Sequence, residues 1–160
     1  MEKKIETALS LRKNGEFIKS NQLLLELVQE NKDSPYLNYQ VAWSFDIMEK
    51  ENEAVFYYEA AIKNGLSGTD LEGAYLGLGS TYRTLGQYVL AEKTLTKGME
   101  EFPENNALKV FYSMVLYNLE RYSEGMAILL SLLSSTSGDK DIVEYKKAIM
   151  FYADKLDKIW

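Results

Sequence analysis

The 160-residue chain contains no cysteine and no histidine. The first absence excludes a disulfide framework and thiolate chemistry. The second removes the commonest general base and the commonest metal ligand of proteins, so no serine, threonine or lysine has an evident activating base. We therefore predict no catalytic residue, no metal site and no cofactor.

Basic charge and long apolar runs are also scarce. The net charge is −6, and neither half of the chain holds the cluster of lysine and arginine that phosphate binding needs. No apolar run approaches the roughly 18 residues that span a bilayer. The opening residues MEKKIETALSLRKNGEF lack the apolar core of a signal peptide. We expect a cytoplasmic protein without a nucleic-acid or membrane partner.

The chain does contain a repeat. Four small residues lie 34, 37 and 34 positions apart, at Ser20, Ala54, Ala91 and Gly125. A larger residue follows each of them four positions later, at Leu24, Tyr58, Leu95 and Leu129. Each unit holds two apolar runs with i, i+3, i+4, i+7 spacing, which predicts a pair of amphipathic helices. The three extra residues of the longer spacing fall in LSG (66–68), where we expect a loop to absorb them.

This pattern resembles the tetratricopeptide repeat (TPR). The third unit matches it best, through Tyr75, Leu78, Gly79, Tyr82, Gly86, Tyr88, Ala91, Leu95, Gly98 and Pro103. The resemblance covers about residues 1–137 and implies an all-α fold, an α-solenoid of four helix pairs in a right-handed superhelix. The repeats are expected at about 1–34, 35–68, 72–105 and 106–137. The stretch GLSGTDLEGAYLGLGSTYRTLG is also similar to a family of short bacterial TPR proteins without an assigned activity.

A further helix is predicted after the last repeat. Residues 139–158 carry an apolar stripe with charges between its members, formed by Ile142, Tyr145, Ile149, Tyr152 and Leu156. A solenoid needs a terminal element with a polar outer face. We therefore predict a single capping helix at 139–158, which makes nine helices in one domain spanning 1–160.

The resemblance also implies a concave surface lined by the first helix of each pair. The repeat phase places nine candidate binding residues there, namely Tyr36, Tyr39, Trp43, Gly73, Leu76, Gly77, Arg83, Met114 and Tyr117. Gly73 and Gly77 allow two interpretations: they form the floor of a trough for a ligand, or they make room for a neighbouring aromatic such as Tyr39 or Trp43. We expect Trp43 to face the groove and Arg83 to be its polar anchor.

These features favour an interaction module that binds a protein or peptide segment in an apolar, aromatic groove and catalyses no reaction. The lysine and asparagine clamp of chaperone-binding TPR proteins is missing from the matching positions, which hold Ile5, Leu9, Tyr39, Trp43, Leu76, Ser80, Val110 and Met114. The alternative is a structural or homo-oligomeric assembly element whose groove is self-filled. An enzyme that relies on carboxylates alone is disfavoured, because no paired acids converge on the groove. We expect a monomer or a weak homodimer.

Overall fold

The computed structural model describes residues 1–160 and consists of α-helices joined by short turns, without a β-strand. The ten helices are α1 (Glu2–Lys13), α2 (Phe17–Glu30), α3 (Pro35–Ile47), α4 (Glu51–Lys63), α5 (Gly68–Thr84), α6 (Tyr88–Glu101), α7 (Asn106–Asn118), α8 (Tyr122–Thr136), α9 (Lys140–Glu144) and α10 (Lys146–Tyr152). The predicted all-α class is confirmed. None of the ten helices combines the length and the apolarity that crossing a bilayer requires.

The turn inside each predicted helix pair has the same backbone geometry. One residue of each turn adopts a left-handed conformation, at Gly15, Glu49, Gly86 and Glu120, with φ of 80°, 57°, 73° and 61°. The next residue donates a backbone hydrogen bond five residues back, as Gln87 N does to Tyr82 O at 2.8 Å. This is the Schellman ending of a helix, in which glycine is favoured because it has no Cβ. The two glutamates show that the turn is kept even where it is strained.

The chain divides into two compact units, 1–87 and 88–160. In the first unit α1 packs on α2, α2 on α3, α3 on α4 and α4 on α5. In the second unit α6 packs on α7, and α8 contacts both α7 and α10. The fully buried side chains of the two cores include Leu24, Leu27, Leu37 and Val41 in the first unit and Leu95, Leu108, Val115 and Leu116 in the second. That the whole chain acts as one domain stays a prediction.

The repeating small residues lie where helices pack closely. Ser20, Ala54 and Ala91 have no exposed surface, and the Ser20 hydroxyl donates a hydrogen bond to Ala8 O at 2.7 Å. A Cβ at Gly125 would lie 3.0 Å from the carbonyl oxygen of Ser113 in the preceding helix. Small side chains are therefore needed for the two helices to approach each other.

Two predicted boundaries are wrong. The extra residues before the third repeat do not form only a loop, because α5 already begins at Gly68 and runs for 17 residues. The single capping helix predicted at 139–158 is two short helices, which makes ten helices instead of nine. Tyr145 leaves helical geometry at φ −93° and ψ 7°. The break lets α10 pack against α8, where Ala153 becomes buried.

Candidate binding surface

The first unit exposes an aromatic and cationic surface formed by Arg12 and Trp43. Arg12 lies in the last turn of α1, and its guanidinium carbon is 4.0 Å from the centroid of the Trp43 ring on α3. Its Nη2 donates a hydrogen bond to Oε1 of the buried Gln40 at 2.6 Å. The indole itself remains 42% exposed. Two neighbours therefore hold the cation in place while the indole stays accessible, a geometry typical of cation–π contacts.

No carboxylate lies within salt-bridge distance of the Arg12 guanidinium. Its Nη1 is enclosed without a hydrogen-bond partner. Burial lowers the pKa of Arg12, and the nearby hydroxyls of Tyr36, Tyr39 and Tyr58 oppose that change. Arginine stays charged even so, since its ordinary pKa exceeds about 12. The surface therefore presents a positive charge that contacts an aromatic ring and an amide and forms no salt bridge.

Tyr39 connects this surface with the interior. Its ring centroid is 6.1 Å from that of Trp43 and 6.2 Å from that of Tyr58, both in tilted arrangements. Such separations lie in the range where aromatic pairs attract each other beyond their burial. Burial, followed by the nearby carboxylate of Asp70, raises the pKa of Tyr39. The phenol therefore stays neutral at physiological pH.

The two helical glycines of α5 lie beneath tyrosine rings. A Cβ at Gly73 would collide with the hydroxyl of Tyr39 and lie 3.2 Å from its Cζ. A Cβ at Gly77 would collide with the hydroxyl of Tyr58 and lie 2.5 Å from its Cζ. These contacts support the interpretation that the glycines make room for neighbouring aromatics, which are Tyr39 at Gly73 and, instead of the expected Tyr39 or Trp43, Tyr58 at Gly77. The alternative, an open trough with Gly77 as its floor, is wrong because Gly77 is buried under Tyr58.

A polar network surrounds the Tyr58 hydroxyl. That hydroxyl donates to one oxygen of Asp46 at 3.1 Å, and the Thr81 hydroxyl lies 3.2 Å from the other oxygen. Thr81 also donates to Gly77 O at 2.7 Å. Burial raises the pKa of Asp46, and the two hydroxyls partly offset this. The network fixes the Tyr58 ring over α5, since moving the ring would break its bond to the carboxylate.

The other predicted site residues fall in both units. Tyr36, Leu76 and Arg83 are half-buried in the first unit. Met114 and Tyr117 are exposed in the second unit, where the Tyr117 ring meets that of Tyr122 edge-to-face at 5.2 Å. The structure thus brings together Tyr39, Trp43 and Gly73, within the first unit. A single surface formed by all nine residues stays a prediction.

The sequence reasoning missed Arg12. The signal was present, because Arg12 occupies in the first repeat the position that Asp46 and Arg83 occupy in the second and third. A separate cavity of 570 Å³ lies between α2 and α4, and Val28, Tyr57 and Lys63 are among its lining residues. None of the nine predicted residues lines this cavity. It is therefore distinct from the surface of Arg12 and Trp43.

Comparison with known proteins agrees with this architecture. The family described as Tetratrico peptide repeat matches residues 35–156. The chain therefore belongs to the TPR family, whose members are typically interaction modules for other proteins. A crystal structure of YrrB, described as a TPR protein with an unusual peptide-binding site, superposes with a TM-score of 0.73 at 17% identity and covers 96% of this chain and 80% of that one. No curated protein matches the chain in sequence.

Proposed function

We propose that this protein binds an extended protein or peptide segment on the surface of Arg12 and Trp43 and catalyses no reaction. The observation that carries the proposal is the half-exposed indole with a cation fixed on its face. Tryptophan and arginine are the residue types most enriched among the energetically dominant contacts of interfaces. Because Gln40 and the ring already hold Arg12, little side-chain freedom is lost when a ligand binds. The peptide-binding site named for YrrB supports the same class of ligand.

The test uses a phage-displayed library of random peptides, selected on the full-length protein. The chain has two tryptophans, so a Trp160→Phe background leaves Trp43 as the only indole reporter. Selected peptides are then titrated and followed by Trp43 fluorescence and by calorimetry. Trp43→Ala is expected to weaken binding by at least about 2 kcal/mol, roughly 30-fold in Kd. Arg12→Met is also expected to weaken peptide binding.

The matched control is Phe56→Ala. Phe56 is another exposed aromatic of the first unit, and it lies on α4, where it lines the separate cavity between α2 and α4. Its removal should leave peptide affinity unchanged. If the library yields no peptide, or if the selected peptides bind Trp43→Ala and the wild type equally, the proposal is wrong.

A further inference from the structure

The cavity between α2 and α4 has the size of a small-molecule site. Its volume of 570 Å³ lies within the range of about 300–1,000 Å³ that is usual for such sites. Both helices pack on α3, and all the lining residues fall between Val28 and Asn64, within the first unit. Neither Arg12 nor Trp43 is among them, so the cavity is a second candidate site.

Two aromatic rings of α4 form one wall of the cavity. Phe56 and Tyr57 meet edge-to-face with their centroids 5.0 Å apart, and Tyr57 also stacks on Phe45 of α3 at 5.6 Å. The stacking holds the Tyr57 ring in place, whereas Phe56 remains 64% exposed. Val28 and Ala60 add aliphatic surface to the lining. The wall therefore suits a ligand with an aromatic body.

A buried polar side chain also lines the cavity. Asn38 is only 3% exposed, and its amide nitrogen donates hydrogen bonds to the carbonyl oxygens of Lys32 and Ser34, both at 2.8 Å. These two acceptors fix the orientation of the amide, and its Oδ1 is left without a donor. Buried polar atoms are normally hydrogen-bonded. The oxygen is therefore an acceptor that the cavity offers to a ligand with N–H or O–H groups.

The polar part of the lining carries both signs of charge. Lys32 and Lys63 are exposed and form no salt bridge, and the same is true of Asp33. Glu59 forms none either, and its carboxylate accepts a hydrogen bond from the Tyr82 hydroxyl. All four charged residues line the cavity. A ligand with a single charge meets repulsion from one pair, whereas a zwitterion places its anion near the lysines and its cation near the acids.

We propose that this cavity binds a small zwitterion with an aromatic body, such as a free dipeptide with an aromatic side chain. The carboxylate of the ligand lies near Lys32 and Lys63. Its ammonium group donates to Oδ1 of Asn38, and its ring packs on Phe56. The unpaired polar groups of the cavity thereby acquire partners of complementary chemistry. This site does not depend on the peptide binding proposed above, because the two share no residue.

The probe is the dipeptide phenylalanyl-leucine, titrated into the full chain and followed by calorimetry. We expect saturable binding with a Kd below about 1 mM. N-acetylation of the dipeptide removes its cation and C-terminal amidation removes its anion, and each change should raise Kd at least about fivefold. Phe56→Ala should also raise Kd, because it removes the exposed ring of the wall.

A double variant locates the carboxylate of the ligand. Lys32→Met combined with Lys63→Met removes both cations of the lining and should abolish the preference for the free dipeptide over its amide. The matched control combines Lys3→Met with Lys4→Met, which removes two exposed lysines of α1 and should keep that preference. Helical circular dichroism verifies the fold of each variant.

The proposal is overturned if the dipeptide does not bind, or if either blocked analogue binds as tightly as the free dipeptide. It is equally overturned if the folded variant without Lys32 and Lys63 keeps the preference for the free dipeptide, or if the control loses it. An unchanged affinity of the Phe56→Ala protein would place the ligand outside the cavity and has the same consequence.

Discussion

Replacing Gly77 by alanine tests the packing of tyrosine against glycine in the first unit. Alanine is the better helix former by about 1 kcal/mol, so propensity alone would stabilise α5. The new methyl group, however, would lie 2.5 Å from Cζ of Tyr58, a ring that is only 2% exposed. Overpacking of this kind costs about 1–3 kcal/mol. Displacing the ring also weakens its hydrogen bond to the Asp46 carboxylate, which is a loss of about 1.5–3 kcal/mol.

Together these three contributions predict a destabilisation of about 1.5–5 kcal/mol, in spite of the better helix propensity of alanine. For a chain of this length such a change lowers Tm by roughly 3–20 °C. Urea unfolding followed by helical circular dichroism gives the free energy, and a thermal melt gives Tm. Gly138→Ala is the control, since a Cβ there meets no atom within 4 Å, and it should change stability by less than about 0.5 kcal/mol.

A double variant separates the steric effect from other causes. Leucine stands in the other three repeats where Tyr58 stands in the second, so Tyr58→Leu keeps the repeat pattern while removing the ring. If the collision is the cause, Gly77→Ala should cost at least about 1 kcal/mol less in the Tyr58→Leu background than in the wild type. A Gly77→Ala protein as stable as the wild type, or additive effects of the two changes, would refute the reasoning.

Two further predictions concern the pH dependence of stability and the end of the chain. Because burial raises the pKa of Asp46 above the ordinary value near 3.9, the folded protein binds this proton more tightly than the unfolded chain does. The contribution of Asp46 to stability therefore falls as pH rises from about 4 through the folded pKa. Asp46→Asn should lose less Tm than the wild type between about pH 4 and 7, and parallel curves for the two proteins would contradict this. Deleting residues 139–160 uncovers the part of α8 against which α10 packs and should promote aggregation, seen as increased light scattering. A truncated protein that melts as before without increased scattering would show that this segment is not a cap.

Much of the fold was predictable because it follows from the spacing of residue types along the sequence. The spacing of Ser20, Ala54, Ala91 and Gly125 sets where the helices of each pair approach, and side chains larger than these do not fit there. The same periodicity predicts the helix pairs and their turns, since left-handed glycine is favoured at a helix end. The family match over residues 35–156 agrees with this prediction.

The start of α5 and the break at Tyr145 were not predictable in the same way. Gly68, where α5 begins, is compatible with either a loop or the start of a helix. Which of the two forms depends on the contacts that the first turn of α5 makes. The apolar stripe of 139–158 fits one long helix equally well. Only the packing of α10 on α8 decides that the chain turns after Glu144.

The sequence by itself determined the repeat and the all-α class, because both follow from periodicity along one chain. Tertiary structure alone decided which side chain fills which space. The repeat phase predicted that Gly77 lies on a surface, but the Tyr58 ring extends from α4 and covers this glycine. The position of Arg12 over the indole likewise depends on how far apart α1 and α3 lie. Such distances between helices are set by side-chain packing, and the pattern of residue types along the sequence does not specify them.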